Sequence, residues 1–99
     1  MATKIPTPTV GEILQEEFLE PLGMTPYRLA RELRVATSSV LDLVHGRRRL
    51  SVDMALRLAR LLGTTERFWL NLQNEIDVRN RRDELSSELD AIHPVARAG

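Results

Sequence analysis

Arg47, Arg48 and Arg49 stand in an unbroken row after Gly46, in a chain whose formal net charge is zero. Adjacent guanidinium groups repel, so a short loop that holds three of them suits the grip on an anion, above all a phosphate backbone. Just upstream, Thr37, Leu41 and His45 recur at every fourth position, with Ser38 and Asp42 beside them. Residues at that spacing share one helical surface. Small hydroxyls at the start of a helix let its backbone approach base edges, and either hydroxyl can bond several bases. Leu41 suits a thymine methyl or the core almost equally well.

This chemistry is recognition and not bond making. The chain has no glycine-rich phosphate loop, nucleophile elbow or HExxH sequence. Glu16 and Glu17 are neighbours on a helix and point in diverging directions, so they form no poised acid–base pair. There is no cysteine, and His45 and His93 lack a nearby ligand set, so neither a metal nor another cofactor is expected. The expectation is a binding protein, not an enzyme.

Charge is unevenly distributed along the chain. Residues 1–23 hold one lysine against four glutamates, a net −3, and residues 24–60 hold eight arginines against three acids, a net +5. Residues 61–99 carry five arginines and seven acids, a net −2. A basic middle between acidic ends suggests a local anion-binding face that the overall neutrality conceals. Ninety-nine residues, 42% apolar and 28% charged, suffice for one folded domain. The start MATKIPTPTVG has neither a signal-type apolar core nor a membrane span, which predicts a cytoplasmic protein with no membrane partner.

The elements that must position these residues read as helices. Apolar residues recur at three and four, and no alternating strand pattern appears. Thr9 and Glu12 resemble a capping box opening a helix with Val10, Ile13, Leu14 and Phe18 on one stripe, closed by Pro21 and Gly23. Thr25 caps a second helix, with Pro26 in its first turn, that runs to about Leu33. The third spans Thr37 to Val44 and ends at Gly46; Ser51 caps a fourth through Leu62, stopped by Gly63. Thr65 starts a fifth, containing Phe68, Trp69, Leu72 and Ile76, and after Asn80 the weaker pattern NRRDELSSELDAI allows one more. The expected core includes Ile13, Leu14, Leu29, Leu33, Val40, Val44, Leu58, Leu61 and Phe68. The organisation expected is an arm over 1–8, a helical domain over 9–80, and a C-terminal helix and tail over 81–99.

Only Arg34, Val35 and Ala36 separate the second and third helices, the spacing of a helix-turn-helix, whose second helix enters the major groove. A plain helical bundle or a protein-binding module that never contacts DNA has the same outline. The basic middle and the hydroxyls on the third helix favour DNA.

The runs VGEILQEEFLEPLGMTPYRLARELRV and ALRLARLLGTTERFWLNLQNEIDV resemble the HigA-type (VapI-like) antitoxins, helix-turn-helix regulators of the phage-repressor type. The likeness covers about Thr9 to Val78, and FWLNLQ after a GTT cap is its most specific part. It implies an all-α, five-helix domain, a homodimer, an operator before the protein's own genes, and a small basic RelE-like mRNA-cleaving toxin as partner. By the family pattern, base reading falls on Thr37, Ser38, Leu41 and Asp42, and phosphate contact on Thr25, Tyr27, Ser39 and Arg47 to Arg49. The acidic strip Glu16, Glu17 and Glu20 is the expected toxin dock, and Trp69, Leu72 and the region of Ile76 are expected near the dimer contact. Two departures stand out: Pro26 where relatives usually have glutamine, and Arg34 where they usually have glycine. A phage-type repressor without a toxin is the alternative.

Overall fold

Thr9, Thr25, Ser51 and Thr65 each accept a hydrogen bond from the backbone N–H three residues on, at 3.1 Å in every case. These hydroxyls satisfy amides that a helix start leaves without partners, so four helices begin where the sequence places their caps. The computed structural model describes residues 7–96, and every regular element among them is helical. We label the helices α1 (residues 10–22), α2 (Pro26–Leu33), α3 (Thr37–Val44), α4 (Val52–Leu62), α5 (Glu66–Glu84) and α6 (Ser86–Asp90). Five helices with an additional C-terminal one is the architecture expected from the sequence.

Helix α1 closes at Gly23, as expected, with φ 62° and ψ 30°, after running through Pro21 to Leu22. A proline inside a helix has no N–H to give and presses its ring on the carbonyl four residues back. Here Gln15–Leu19 widens into a π-helical turn, with the Glu20 N–H bonded to the Gln15 carbonyl five residues back, just before the proline. One boundary differs from expectation: α5 does not stop near Asn80 but continues to Glu84. The domain boundary expected at residue 80 therefore falls inside a helix. Within the C-terminal pattern NRRDELSSELDAI, Leu89 and Ile92 are exposed. Residues 1–6 of the expected arm, and 97–99 of the tail, lie outside the described residues.

Leu14, Leu19, Leu29, Val40, Leu43, Leu58 and Trp69 fill the centre. Of the expected core, Ile13, Val44 and Leu61 are only partly buried and pack against it. Phe68 is a correction: it is 43% exposed. Its neighbour Trp69 takes the interior position, with its ring centroid 5.0 Å from both Phe18 and Phe68. The Trp69 indole N–H donates to Thr64 Oγ1 at 2.7 Å, which satisfies the one polar atom the ring carries inward. Trp69, expected near a dimer contact, has 0% exposure within one protomer and belongs to the core. Ile76, at 8%, belongs to the same core. Leu19 and Leu50, buried here, were absent from the expected core.

Candidate nucleic-acid interface

The turn joining α2 to α3 starts at Arg34, with φ 59° and ψ 47°. It is the single non-glycine residue of positive φ among the described residues. The Arg34 N–H bonds the Arg31 carbonyl at 3.2 Å and the Val35 N–H bonds the Ala30 carbonyl at 3.0 Å. This is the paired closure that normally uses glycine, and α1 and α3 close the same way on Gly23 and Gly46. The glycine that the resemblance implies at this place would have a physical reason, and Arg34 holds the left-handed conformation at a cost. We expect Arg34→Gly to raise stability by about 1 kcal/mol, the order of the left-handed penalty it relieves. Thermal melts of the two forms check this, and a lower melting temperature for the variant would count against strain at Arg34.

Helix α3 begins at Thr37 after Ala36, which has no side chain to cap it, so the positive end of the helix is left open beside Thr37 and Ser38. Val40 and Leu43 turn inward and are buried. Ser38 is exposed, whereas Thr37, Ser39, Leu41 and Asp42 are half-buried. The four expected base-reading residues therefore lie on one short helix. At the start of α2, Thr25 is exposed but spends its hydroxyl as the helix cap, and Tyr27 projects with 65% exposure.

The arginine loop is more structured than its sequence suggests. Arg47 pairs with Asp42 on α3 at 3.2 Å, and Arg49 forms an ion pair with Asp77 on α5. Arg48 is exposed and has no ion pair among the described residues. Asp53, at the start of α4, accepts from Arg57 at 2.9 Å. These pairs are solvent-exposed and weak individually, so they arrange the loop without locking it.

A buried amide fixes the loop's far end. Gln73 accepts the Leu50 N–H through Oε1 at 2.9 Å and donates through Nε2 to Asp77 Oδ1 at 3.0 Å. Asp77 in turn holds Arg49, so one chain of contacts ties the loop after α3 to α5. Gln73 and Asp77 were not among the expected site residues. The signal was present: a glutamine on the apolar stripe Trp69, Leu72, Ile76, followed by an acid four residues on. Replacing Gln73 with alanine leaves the buried Leu50 amide unpartnered and should cost about 1–3 kcal/mol. Denaturant unfolding reads this directly, and a change below about half a kcal/mol would mean that water replaces the glutamine.

Glu16, Glu17 and Glu20 are exposed on α1, a separate element from α3. Glu17 borders an apolar groove lined by Phe18, Leu22, Met24, Leu61 and Leu62. Among the described residues no cluster of His, Cys, Asp or Glu could hold a metal ion. None of their helices is long and apolar enough to cross a membrane.

A helix-turn-helix family model matches residues 16–69. An uncharacterized HTH-type transcriptional regulator of Haemophilus influenzae is 47% identical over 78 residues, covering 79% of this chain and 72% of its own length. The antitoxin HigA-1 of Vibrio cholerae is 38% identical over 87 residues, covering 88% and 82% respectively. The solved structure of the Pseudomonas aeruginosa antitoxin HigA with the higBA promoter superposes with a TM-score of 0.86 at 36% identity, over 93% of this chain and 100% of that one. A match across more than half the chain, with antitoxin relatives aligned over most of their own length, makes this protein a member of the phage-repressor type of helix-turn-helix family, in its HigA-like branch.

Proposed function

We propose that this protein is the antitoxin of a type II toxin–antitoxin pair and a transcriptional autorepressor acting in the cytoplasm. The observation that carries the reading is the continuity of the segment from Thr37 to Arg49. A short helix with small hydroxyls on its open end runs directly into a cationic loop. Thr37, Ser38, Leu41 and Asp42 would read base edges, while Thr25, Tyr27, Ser39 and the loop arginines would grip phosphates and set the register. One such helix reads few bases, so a two-fold homodimer with half-sites about 34–36 Å apart is the natural complement. Leu72 and the exposed Val78 on α5 remain available for that pairing.

The partner we propose is a small basic toxin of the RelE-like mRNA-cleaving class. Glu16, Glu17 and Glu20 would be its dock, with the apolar groove beside Glu17 offering contact area away from α3. Supporting this are the acidic charge of residues 1–23 and the relatives named as antitoxins. The relative of Haemophilus influenzae described only as a transcriptional regulator favours a second reading, a repressor with no toxin.

Gel shift with the region upstream of the protein's own gene tests the DNA half, and affinity equal to that for random sequence would end it. Co-expression with the neighbouring short basic reading frame tests the toxin half. Reversing the three glutamate charges should abolish co-purification at physiological salt. Retention of the complex would move the dock elsewhere, and no such reading frame would leave the repressor.

A further inference from the structure

Arg57 carries no role in the family pattern used above, yet it reaches from α4 to the turn between α2 and α3. Its Nη1 donates to the Leu33 carbonyl at 2.7 Å and, at greater length, to the Arg34 carbonyl at 3.4 Å. Its Nε donates to Asp53 Oδ2 at 2.9 Å, one turn back on the same helix. A guanidinium is planar and rigid, so fixing Nε on a carboxylate aims the opposite edge. That edge meets the last residue of α2 and the first of the turn, where helix carbonyls lack intrahelical partners and the dipole is negative.

The amides of the turn are already used: Arg34 and Val35 bond the carbonyls of Arg31 and Ala30. Arg57 supplies donors to the carbonyls that this closure leaves over. It does so at the one place among the described residues where a side-chain-bearing residue is left-handed. A glycine would hold this conformation without help, whereas an arginine needs the surroundings to over-determine it. The geometry points to Arg57 as the positioning residue of the helix-turn-helix: anchored by Asp53, it clamps the Leu33 and Arg34 carbonyls and so keeps the left-handed turn that aims α3.

The test is a double-mutant cycle on the full chain, Arg57→Ala against Arg34→Gly, with Arg57→Lys as a third form. Each is titrated with a fluorescent duplex of the upstream region and with a scrambled duplex of equal length. Arg57→Ala should weaken the upstream duplex about tenfold, because α3 is no longer held in line with the groove, and barely affect the scrambled one. Adding Arg34→Gly should recover most of that loss, because the turn no longer needs its clamp. Arg57→Lys keeps the charge but not the fork and should remain weak.

Melting temperatures should be non-additive in the same sense. Equal losses on both duplexes without rescue would make Arg57 a phosphate contact and overturn the proposal. Full recovery by lysine, or additive melting temperatures, would overturn it too. The DNA arm rests on the proposed function. A wild type that treats both duplexes alike defeats that function, while the melting cycle still decides the clamp. Should Arg57→Ala fail to fold, Asp53→Asn, which removes only the orienting carboxylate, takes its place in the cycle.

Discussion

Replacing Gly11 with alanine should unfold much of the population at moderate temperature and abolish DNA binding in what remains. Gly11 lies in the first turn of α1, buried where that helix crosses the end of α3. A Cβ there would intrude on the Leu43 carbonyl oxygen and lie only 2.7 Å from that of Val44. These are backbone atoms in the last turn of α3, so no side chain can rotate away. The two helices must separate, which opens a core that includes the fully buried Leu14 and the nearly buried Leu43. Overpacking of this kind costs on the order of 3 kcal/mol, near the upper end of its usual range. Each kcal/mol lowers the melting temperature of a domain this size by about 4–8 °C. Gly23→Ala is the control, since nothing lies within 4 Å of a Cβ there and only its φ of +62° matters. It should cost about 1 kcal/mol. Calorimetry showing Gly11→Ala no worse than Gly23→Ala would mean that α1 and α3 slide past each other freely.

Gly11 also marks a limit of what can be read from the residues alone. Caps are local, a hydroxyl against an amide three residues on, and Thr9, Thr25, Ser51 and Thr65 announced their helices correctly. The three-residue gap before Thr37 likewise placed the helix-turn-helix, and the family's glycine pointed to the left-handed Arg34. Nothing local marks Gly11, because its requirement comes from a helix some thirty residues away in the chain. The same holds for Arg57, whose acceptors are carbonyls of the α2 end, and for Asp77, which meets Arg49 only once α5 has packed.

Phe68 and Trp69 show a finer limit. Both are large and apolar and adjacent, so composition ranks them together, but a helix turns each residue by about 100° and only one could face inward. Pro21 and Gly23 marked the end of α1 together, and Gly23 makes the cap. A proline's usual effect is to stop a helix, and here a π turn absorbs the ring and lets α1 continue.

Thr37→Ala combined with Ser38→Ala should lower affinity for the operator alone, whereas loss of the loop arginines should lower affinity for any duplex. The division follows from position. Thr37 and Ser38 open α3, and in the proposed complex that end would lead into the groove, where a hydroxyl can bond base edges. Removing a good hydrogen bond to a base should cost roughly 1–3 kcal/mol, so the double replacement amounts to about two decades or more in operator affinity. In the same proposed complex the loop behind α3 would pass over the sugar–phosphate edge, where contacts give affinity without sequence information.

Within that loop the three arginines are not equivalent. Arg48 is exposed and has no ion pair among the described residues, ready to meet a phosphate, while Arg47 and Arg49 must first exchange Asp42 and Asp77 for one. Arg48→Ala should therefore flatten the log–log salt dependence by about 0.9, the full weight of one neutralised phosphate. Arg47→Ala with Arg49→Ala should also weaken both duplexes by similar factors, but by less per residue. The carboxylates of Asp42 and Asp77 already cancel part of the field these two arginines present. Fluorescence anisotropy over a salt series, on operator and random duplexes, separates all of these. If the arginine changes erased operator preference and left random binding intact, the loop would be reading bases and the hydroxyls of α3 would be its supports.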